Sequence, residues 1–221
     1  MHPDRALAWL ARLARLLSWP FVRFDIAGGE QLNRELGAIV IATDHRSLYD
    51  VVAGLIVFHR YRRYPRVLIE QAYVDSRWTK PFARAIGAIP VDRSKGKGGA
   101  LAAAVDELRS GTTVLLLPEG RLHWNPDDPI STGPTSTGVA RMAAAAGVPV
   151  VAAGMVGTER VWPAGARLPR LVPYRRPIVT VRIADRPVPI DTDDPREATD
   201  AVMADVRRLM AEAQGAADAR R

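Results

Sequence analysis

The feature that most constrains the fold of this chain is a series of short apolar runs, separated by segments with a helical hydrophobic period. Several of these runs contain no polar residue, which is typical of strands that helices cover on both faces of a sheet. Strands and helices that alternate in this way predict a single α/β domain, with a mostly parallel sheet flanked by helices. The predicted strands are residues 21–26, 38–42, 66–70, 88–91, 113–117, 148–153 and 178–184. The predicted helices are residues 49–59, 78–85, 99–109, 137–146 and 196–213, the last preceded by Asp194 as a cap and starting near Pro195.

The size and composition of the chain fit a globular protein. It has 221 residues, of which 48% are hydrophobic, enough to form a substantial core. The absence of cysteine excludes a disulfide framework and thiolate metal sites. The beginning of the sequence lacks the pattern of a cleaved signal peptide, and no uninterrupted apolar window of about 18 residues predicts a membrane-spanning helix.

The net charge of +7 indicates anionic partners. Nucleic acid, anionic lipid and phosphorylated substrates all fit a basic chain. The sequence contains no array of aromatic residues for base stacking and no recognisable nucleic-acid-binding module. We therefore expect no nucleic-acid partner.

An amphipathic helix is predicted at residues 5–19, where Pro20 ends the pattern. Arg5, Arg12 and Arg15 fall on one face beside leucine and tryptophan residues. This combination suits a helix that lies in the headgroup plane of an anionic bilayer, although it also suits a terminal helix packed on the core. We divide the chain into a membrane-associating helix, residues 1–20, and one larger domain, residues 21–221, which contains the predicted sheet.

Two polar side chains that follow the second predicted strand form a candidate catalytic pair. His45 comes directly after the strand, and Asp50 lies five positions later. A carboxylate bound to one imidazole nitrogen fixes the tautomer and makes the other nitrogen a better proton acceptor. The pair therefore has the parts of a base that activates a hydroxyl group, but its spacing alone is common by chance.

Three further segments follow or form predicted strands. Arg93, just past the strand at 88–91, could bind a phosphate or lie in a solvated basic loop. After the strand at 113–117, Pro118 ends the ladder, Gly120 permits a tight turn, and Glu119 is held at the strand end. Residues 147–151 are most simply a buried strand.

Two other patterns carry little weight. Residues 96–99 are glycine-rich but lack the Gly-x-x-x-x-Gly-Lys-Ser/Thr spacing of a nucleotide-binding loop. Glu119 and His123 lie four positions apart, yet no further ligand cluster has the spacing of a metal site. We expect no metal.

The order and separation of the four segments resemble the PlsC-like glycerolipid acyltransferase family, whose type members are lysophosphatidic acid acyltransferases. The family motifs are Asn-His-x-Ser-x-x-Asp, Gly-x-x-x-x-x-Arg, Phe-Pro-Glu-Gly-Thr-Arg-Ser and a Val/Ile-Pro-Ile/Val-Val strand. This chain has Asp-His-Arg-Ser-Leu-Tyr-Asp at 44–50, Gly87 and Arg93, Leu-Pro-Glu-Gly-Arg-Leu at 117–122 and Val-Pro-Val-Val at 148–151.

The resemblance implies an O-acyltransferase in which His45 is the general base and Asp50 orients it. The base would remove a proton from an acceptor hydroxyl, which then attacks the thioester of acyl-CoA or acyl carrier protein. No covalent acyl-enzyme, metal or cofactor is implied. Arg93 would hold the acceptor's phosphate, and Glu119 and Gly120 would shape the acceptor site. The implied substrate-binding residues are Ser47, Arg93, Glu119, Gly120 and Arg121.

The implied acceptor is a lysophospholipid, with conversion of lysophosphatidic acid to phosphatidic acid as the leading expectation. Family members often attach to membranes through an N-terminal helical segment, which fits the helix at residues 5–19. The expected location is therefore peripheral, at the cytoplasmic face of the cell membrane.

The chain departs from the family pattern at three places. Asp44 replaces the usual asparagine, Arg121 stands one position early because the usual threonine is missing, and Ser136–Gly138 stand where a Lys-Gly element is usual. These changes leave glycerol phosphate or a glycolipid open as acceptors. They also leave open a relative that binds anionic lipid without catalysis.

Overall fold

The chain folds into one α/β domain built on a seven-stranded sheet, in the order β1-β7-β6-β2-β5-β3-β4. This computed structural model describes residues 3–33, 36–92, 98–120, 122, 130, 134–173, 176–190 and 194–220. The strands are β1 Arg23–Gly28, β2 Val40–Thr43, β3 Arg66–Glu70, β4 Ile89–Val91, β5 Val114–Leu116, β6 Val150–Val156 and β7 Ile178–Ile183. The helices are α1 Pro3–Ser18, α2 Tyr49–Arg60, α3 Gln71–Asp75, α4 Lys80–Ala85, α5 Gly98–Arg109, α6 Gly138–Ala146, α7 Thr158–Val161 and α8 Pro195–Asp218.

The sheet is mostly parallel, as the sequence predicts. Strands β2 to β6 run in one direction, whereas β7 pairs antiparallel with β6, and β1 pairs parallel with β7. One edge of the sheet therefore carries the ends of β2 to β6 and the beginnings of β1 and β7. We call it the carboxyl edge. Ligands collect at this edge in open α/β sheets, because side chains from several strand ends converge there.

Helix α8 closes one face of the sheet by packing on β6 and β7. Its start is the one the sequence predicts, since the Asp194 side chain accepts hydrogen bonds from the amide nitrogens of Arg196 and Glu197. The helix approaches β6 so closely that a Cβ added at Gly154 would lie 2.4 Å from the amide nitrogen of Met210. A side chain at position 154 would therefore push α8 away from the sheet.

Helix α1 packs on the domain and still leaves apolar residues in solvent. Leu7 and Ala11 are fully buried against the neighbouring helices α2 and α4. At its end, the Tyr49 hydroxyl donates to Ser18 Oγ at 2.7 Å, which places the last turn of α1 beside the first turn of α2. The large apolar side chains that remain exposed on and just after α1 are Trp9, Leu16, Leu17 and Trp19.

The predicted fold class is confirmed, and the differences in detail have simple causes. The bounds of β3 match the prediction, and each predicted helix is found within a few residues. Three short elements were not predicted: α3, α7 and a 3-10 turn at Glu30–Asn33. Each has five residues or fewer, too short to show a hydrophobic period. Among the described residues, no helix combines the length and the hydropathy needed to cross a bilayer.

Candidate active site

The central strand β2 delivers the candidate catalytic residues to the carboxyl edge. All four residues of β2 are buried, between β6 on one side and β5 on the other. Residues 44–48 form the turn that connects β2 to α2, which begins at Tyr49. We call residues 44–50 the His45 turn, since they place His45 at the strand end and Asp50 in the first turn of the helix.

The Asp50 carboxylate holds the His45 turn together through one oxygen. Its Oδ2 lies 3.0 Å from His45 Nδ1 and accepts hydrogen bonds from the amide nitrogens of Arg46 at 2.7 Å and Ser47 at 2.8 Å. An ionised carboxylate can only accept, so His45 Nδ1 carries the proton in this contact. In the neutral ring, Nε2 is then the unprotonated nitrogen. The His45 side chain is 16% exposed, which leaves it accessible to a substrate.

Ser47 ties the turn to the segment that follows β6. Its Oγ lies 2.6 Å from the carbonyl oxygen of Trp162 and 3.1 Å from that of Thr158, and it accepts a hydrogen bond from the Tyr49 amide. The residue is fully buried. The sequence predicts that Ser47 contacts substrate, and this stays a prediction. The contacts of its hydroxyl with the protein also fit a role in holding the turn in place.

A buried charge network lies under the turn. The Arg46 side chain is only 2% exposed, with Nε 3.8 Å from Asp44 Oδ2 and Nη1 4.0 Å from Glu159 Oε2. Glu159 in turn accepts a hydrogen bond from the Gly157 amide at 2.9 Å. Sequence reasoning missed both Arg46 and Glu159. The local signal for Glu159 was weak, an acid three positions beyond the end of an apolar strand.

Asp44, the residue that departs from the family motif, is a buried acid. Its Oδ1 accepts hydrogen bonds from the Met155 amide at 3.1 Å and from the Thr43 hydroxyl at 3.3 Å. Burial raises the pKa of Asp44 to about 7, and the negative charge of Asp50 acts in the same direction. Arg46 and the Met155 amide lower this pKa, but their effect is smaller than that of burial.

Two residues predicted to shape the acceptor-substrate site, Glu119 and Gly120, are described by the structure and also lie at the carboxyl edge. Glu119 follows β5, the neighbour of β2, and is near enough to Asp44 to contribute to its raised pKa. Gly120 has a left-handed backbone, with a φ of 62°, and an added Cβ would meet no atom within 4 Å. The requirement for glycine there is therefore conformational. Arg93 and Arg121 lie outside the described residues, as does His123.

The comparisons with known proteins identify the family. The family model described as Acyltransferase matches residues 23–156, which include β1 to β6 and the whole His45 turn. The chain belongs to the acyltransferase family.

This acyltransferase-family chain is similar to a named plant protein in sequence and to a bacterial crystal structure in fold. It is 27% identical over 161 residues to the 1-acyl-sn-glycerol-3-phosphate acyltransferase BAT2, chloroplastic, of Brassica napus; the match covers 72% of this chain. The chain spans only 44% of that relative's length. It also resembles the crystal structure of the 1-acyl-sn-glycerophosphate acyltransferase PlsC from Thermotoga maritima, with a TM-score of 0.71 and 20% identity. That likeness covers 93% of this chain and 78% of the other, and it supports the fold.

In this acyltransferase-family chain, the glycine of the Gly-x-x-x-x-x-Arg segment has a structural explanation. Gly87 has a φ of 62°, and an added Cβ would lie 2.7 Å from Cδ of Arg66. The turn between α4 and β4 therefore needs glycine both for its backbone and for space. The same observation shows why this position can be recognised from sequence, since few other residues fit it.

An apolar cavity adjoins the His45 turn. It is narrow, about 50 Å³, and lies between α2 and the sheet. Thr43 and Asp50 line one end, and Arg63 and Tyr64, beyond the last turn of α2, line the other. Gly54 lies midway along the helix, where an added Cβ would meet no atom within 4 Å. The remaining lining is largely aliphatic and includes Val51, Val67, Leu115 and Met155.

No metal centre is formed by the residues that the structure describes. Within those ranges, no three histidine, cysteine, aspartate or glutamate side chains come together as a candidate ligand set. The His45 turn itself offers one histidine and two carboxylates, but these are engaged with each other, with backbone amides and with Arg46.

Proposed function

We propose that this protein is a membrane-associated O-acyltransferase. It transfers an acyl chain from acyl-CoA or acyl carrier protein to a hydroxyl of a lysophospholipid, and lysophosphatidic acid is the acceptor we favour. The observation that carries the proposal is the set of three contacts at Asp50 Oδ2, which orient the His45 ring. Membership of the acyltransferase family and the activity for which the Brassica napus relative is named support the same reaction class.

The His45 turn supplies the proton transfers of this reaction. The acceptor hydroxyl gives its proton to Nε2 of His45 while its oxygen forms a bond to the thioester carbonyl carbon. The tetrahedral intermediate then collapses, the C–S bond breaks, and the thiolate takes the proton back from the imidazolium. Asp50 stabilises the imidazolium by its negative charge and keeps the ring oriented through both steps.

The acceptor side of the proposed site is built from the ends of β4 and β5. Glu119 and Gly120 shape the space for the acceptor beside Asp44. From the family motif, Arg93 and Arg121 bind its phosphate, because a guanidinium matches the geometry of a phosphate group. No metal or cofactor takes part in the proposed reaction.

The cavity beneath α2 suits the acyl chain. It begins at Asp50 and its lining is mostly aliphatic, so a hydrocarbon chain would bury apolar surface along it. Since the cavity is only about 50 Å³ in this structure, chain entry requires side chains along α2 to move apart. At Gly54, which lines the cavity, an added Cβ would meet no atom within 4 Å.

Attachment to the membrane is proposed through α1, at the cytoplasmic face of the cell membrane. The helix presents Trp9, Leu16 and Leu17 to solvent, and Arg12 and Arg15 are exposed beside them. Tryptophan and leucine beside arginine favour a helix that lies in the headgroup region of anionic lipid. A peripheral position would bring the His45 turn to acceptors that reside in the bilayer.

The proposal is tested by thiol release from acyl-CoA against a panel of acceptors, with products identified by mass spectrometry. The panel comprises lysophosphatidic acid, glycerol phosphate, other lysophospholipids and a mannolipid, each assayed with and without EDTA. We expect phosphatidic acid to form at a rate equal to CoA release, with no effect of EDTA. Binding of lysolipid without CoA release from any acceptor would contradict the proposal and favour a non-catalytic relative.

A further inference from the structure

We infer that the connection between β6 and β7 contains a second membrane-contact segment, residues 163–173, which binds an anionic bilayer together with the end of α1. This inference rests on the proposed function, because a lipid substrate explains why a bilayer should meet this part of the molecule. It goes beyond attachment through α1, since it assigns a separate part of the chain to the same surface and fixes which edge of the sheet faces the lipid.

The segment exposes aliphatic side chains from a loop that is held in a defined conformation. Leu168 is 77% exposed, Leu171 44% and Val172 47%. The Trp162 indole donates to the Ala166 carbonyl at 2.9 Å, and the Arg170 amide donates to the Val161 carbonyl at 2.7 Å. These contacts hold the loop while its apolar side chains stay in water. A single exposed aliphatic residue is ordinary, whereas a group of them indicates a binding surface.

The connection that carries the segment meets the chain just after α1 at Arg176. Just beyond the segment, the Arg176 guanidinium lies 5.5 Å from the centre of the Trp19 ring, and its Nη2 donates to the Val22 carbonyl at 3.2 Å. Strand β1 begins beside β7, so both connections reach the same carboxyl edge. We call the exposed apolar side chains of these two stretches the apolar rim: Leu16, Leu17, Trp19, Leu168, Leu171 and Val172.

The charges around the apolar rim match an anionic lipid surface. Arg167 and Arg170 are exposed within the segment, and Arg15 is exposed near the end of α1. Neither residues 5–23 nor residues 162–173 contain an aspartate or a glutamate. Arginine beside tryptophan and leucine favours insertion at the headgroup level, with the guanidinium groups near lipid phosphates. Two protein surfaces of this charge would repel each other, which favours a bilayer over a second copy of the chain.

The apolar rim is connected directly to the candidate catalytic residues. The Ser47 amide and the His45 ring share the Asp50 carboxylate, and Ser47 Oγ lies 2.6 Å from the carbonyl oxygen of Trp162, the residue just before the segment. Leu48, also in the His45 turn, is 45% exposed. A segment that is seated in the bilayer would therefore hold the His45 turn at the lipid surface, where a lysophospholipid presents its hydroxyl group.

The absence of cysteine makes a site-specific test direct. The full chain is prepared with Leu168→Cys or Leu171→Cys and labelled with an environment-sensitive fluorophore. Ala145→Cys is the matched control, since Ala145 is exposed at the end of α6, at the opposite edge of the sheet. Vesicles of phosphatidylglycerol are compared with vesicles of phosphatidylcholine, and spin-labelled lipid serves as the quencher.

We expect phosphatidylglycerol vesicles to shift the emission of the labels at 168 and 171 to shorter wavelength and to expose both labels to quenching, with no change at 145. The triple variant Leu168→Ser, Leu171→Ser, Val172→Ser, with α1 intact, should lower vesicle partitioning about tenfold or more. Labels that stay unchanged on protein bound to vesicles would overturn the inference. So would wild-type partitioning in the triple variant, or the same spectral shift appearing without vesicles as protein concentration rises, which would indicate a second copy.

The readout separates this inference from the proposed function. Insertion of the labels does not depend on turnover, so an inserted but inactive protein would refute the acyltransferase proposal and support the membrane segment. Transfer of an acyl chain to lysophosphatidic acid without insertion would support the proposed function and refute the membrane segment.

Discussion

The His45 turn and the apolar rim lie at the same edge of the sheet and are built in opposite ways. In the turn, polar groups are buried and engaged at defined distances, as the three contacts at Asp50 Oδ2 show. In the rim, apolar side chains are exposed and a few arginines stand beside them. The proposed proton transfer at the turn depends on the exact positions of a few atoms. Lipid binding by the rim depends on the total apolar area and the charge of all its residues. Single substitutions should therefore act strongly in the turn and weakly in the rim.

The largest effect is expected from His45→Ala. Loss of the general base should lower kcat for acyl transfer by about 10²–10⁴-fold, because no other group takes the hydroxyl proton. The measurement is CoA release with lysophosphatidic acid as acceptor. His59→Ala is the control, since His59 lies at the far end of α2 and contacts Tyr64. Equal loss in both variants would mean that His45 has no special role.

Asp50→Asn should lower kcat by about 10²-fold or more, because the amide no longer fixes the His45 tautomer or stabilises the imidazolium. It should also lower the free energy of unfolding by about 1–3 kcal/mol, since two buried amides lose a charged acceptor. Urea unfolding and steady-state kinetics measure the two effects separately. A variant that is less stable but has wild-type kcat would assign Asp50 a purely structural role.

Asp44→Asn tests whether the turn contains a buried protonated acid, through the pH dependence of the free energy of unfolding. The pKa of Asp44 is raised from 3.8 to about 7 in the folded state, so the folded protein holds a proton that the unfolded chain releases. The free energy of unfolding should therefore fall as pH rises from about 4 to about 7 and level off above that.

In the Asp44→Asn variant this contribution disappears. We compare the free energy of unfolding of the variant with that of the wild type at each pH. The difference should favour the variant more at pH 8 than at pH 5, by on the order of 2 kcal/mol. Urea unfolding at the two pH values measures it, with the exposed Asp200→Asn as control. The same pH slope in both Asp44→Asn and wild type would show that Asp44 does not hold the proton.

Ser47→Ala tests whether the residue positions the turn or contacts substrate. Loss of its hydrogen bonds should lower the free energy of unfolding by about 1–2 kcal/mol, because the partly buried Trp162 carbonyl is left without this donor. We expect KM for the acceptor to stay within about twofold, since the hydroxyl faces Trp162 and Thr158. A large rise in KM without loss of stability would restore Ser47 as a substrate contact.

The smallest effect is expected from a single change in the apolar rim. Trp19→Ala should reduce partitioning onto phosphatidylglycerol vesicles about three- to tenfold, since the other rim residues still bind. Co-sedimentation measures it, with Ala145→Ser on the opposite edge as the unaffected control. Complete loss of binding from this one substitution would mean that the rim acts through a specific pocket and not through summed area.

Local patterns were enough to predict the fold class and the candidate pair. The alternation of apolar runs and helical periods predicted the strands of the sheet, including β3 at Arg66–Glu70. The pairing of His45 with Asp50 was also predictable, because both residues lie in one short turn between a strand and a helix. Such features depend on neighbours within a few residues, which a sequence displays directly.

Long-range partners could not be predicted in the same way. Glu159 lies more than a hundred positions from Arg46, and no local pattern shows that the side chain of an arginine next to His45 is only 2% exposed. The carbonyl partners of Ser47, at 158 and 162, are equally remote. The antiparallel direction of β7 had a weaker signal. The sequence predicts no helix between the last two strands, whereas a parallel crossover usually contains one.

The central claim is that Asp50 keeps the proton on Nδ1 of His45 and leaves Nε2 free to accept one from a hydroxyl. Nitrogen-15 NMR of the imidazole rings tests it directly, with His45→Ala used to assign the signals among the four histidines. In the neutral His45 ring we expect a proton on Nδ1 and an unprotonated Nε2, with that preference lost in Asp50→Asn. A neutral ring with its proton on Nε2 would contradict the account.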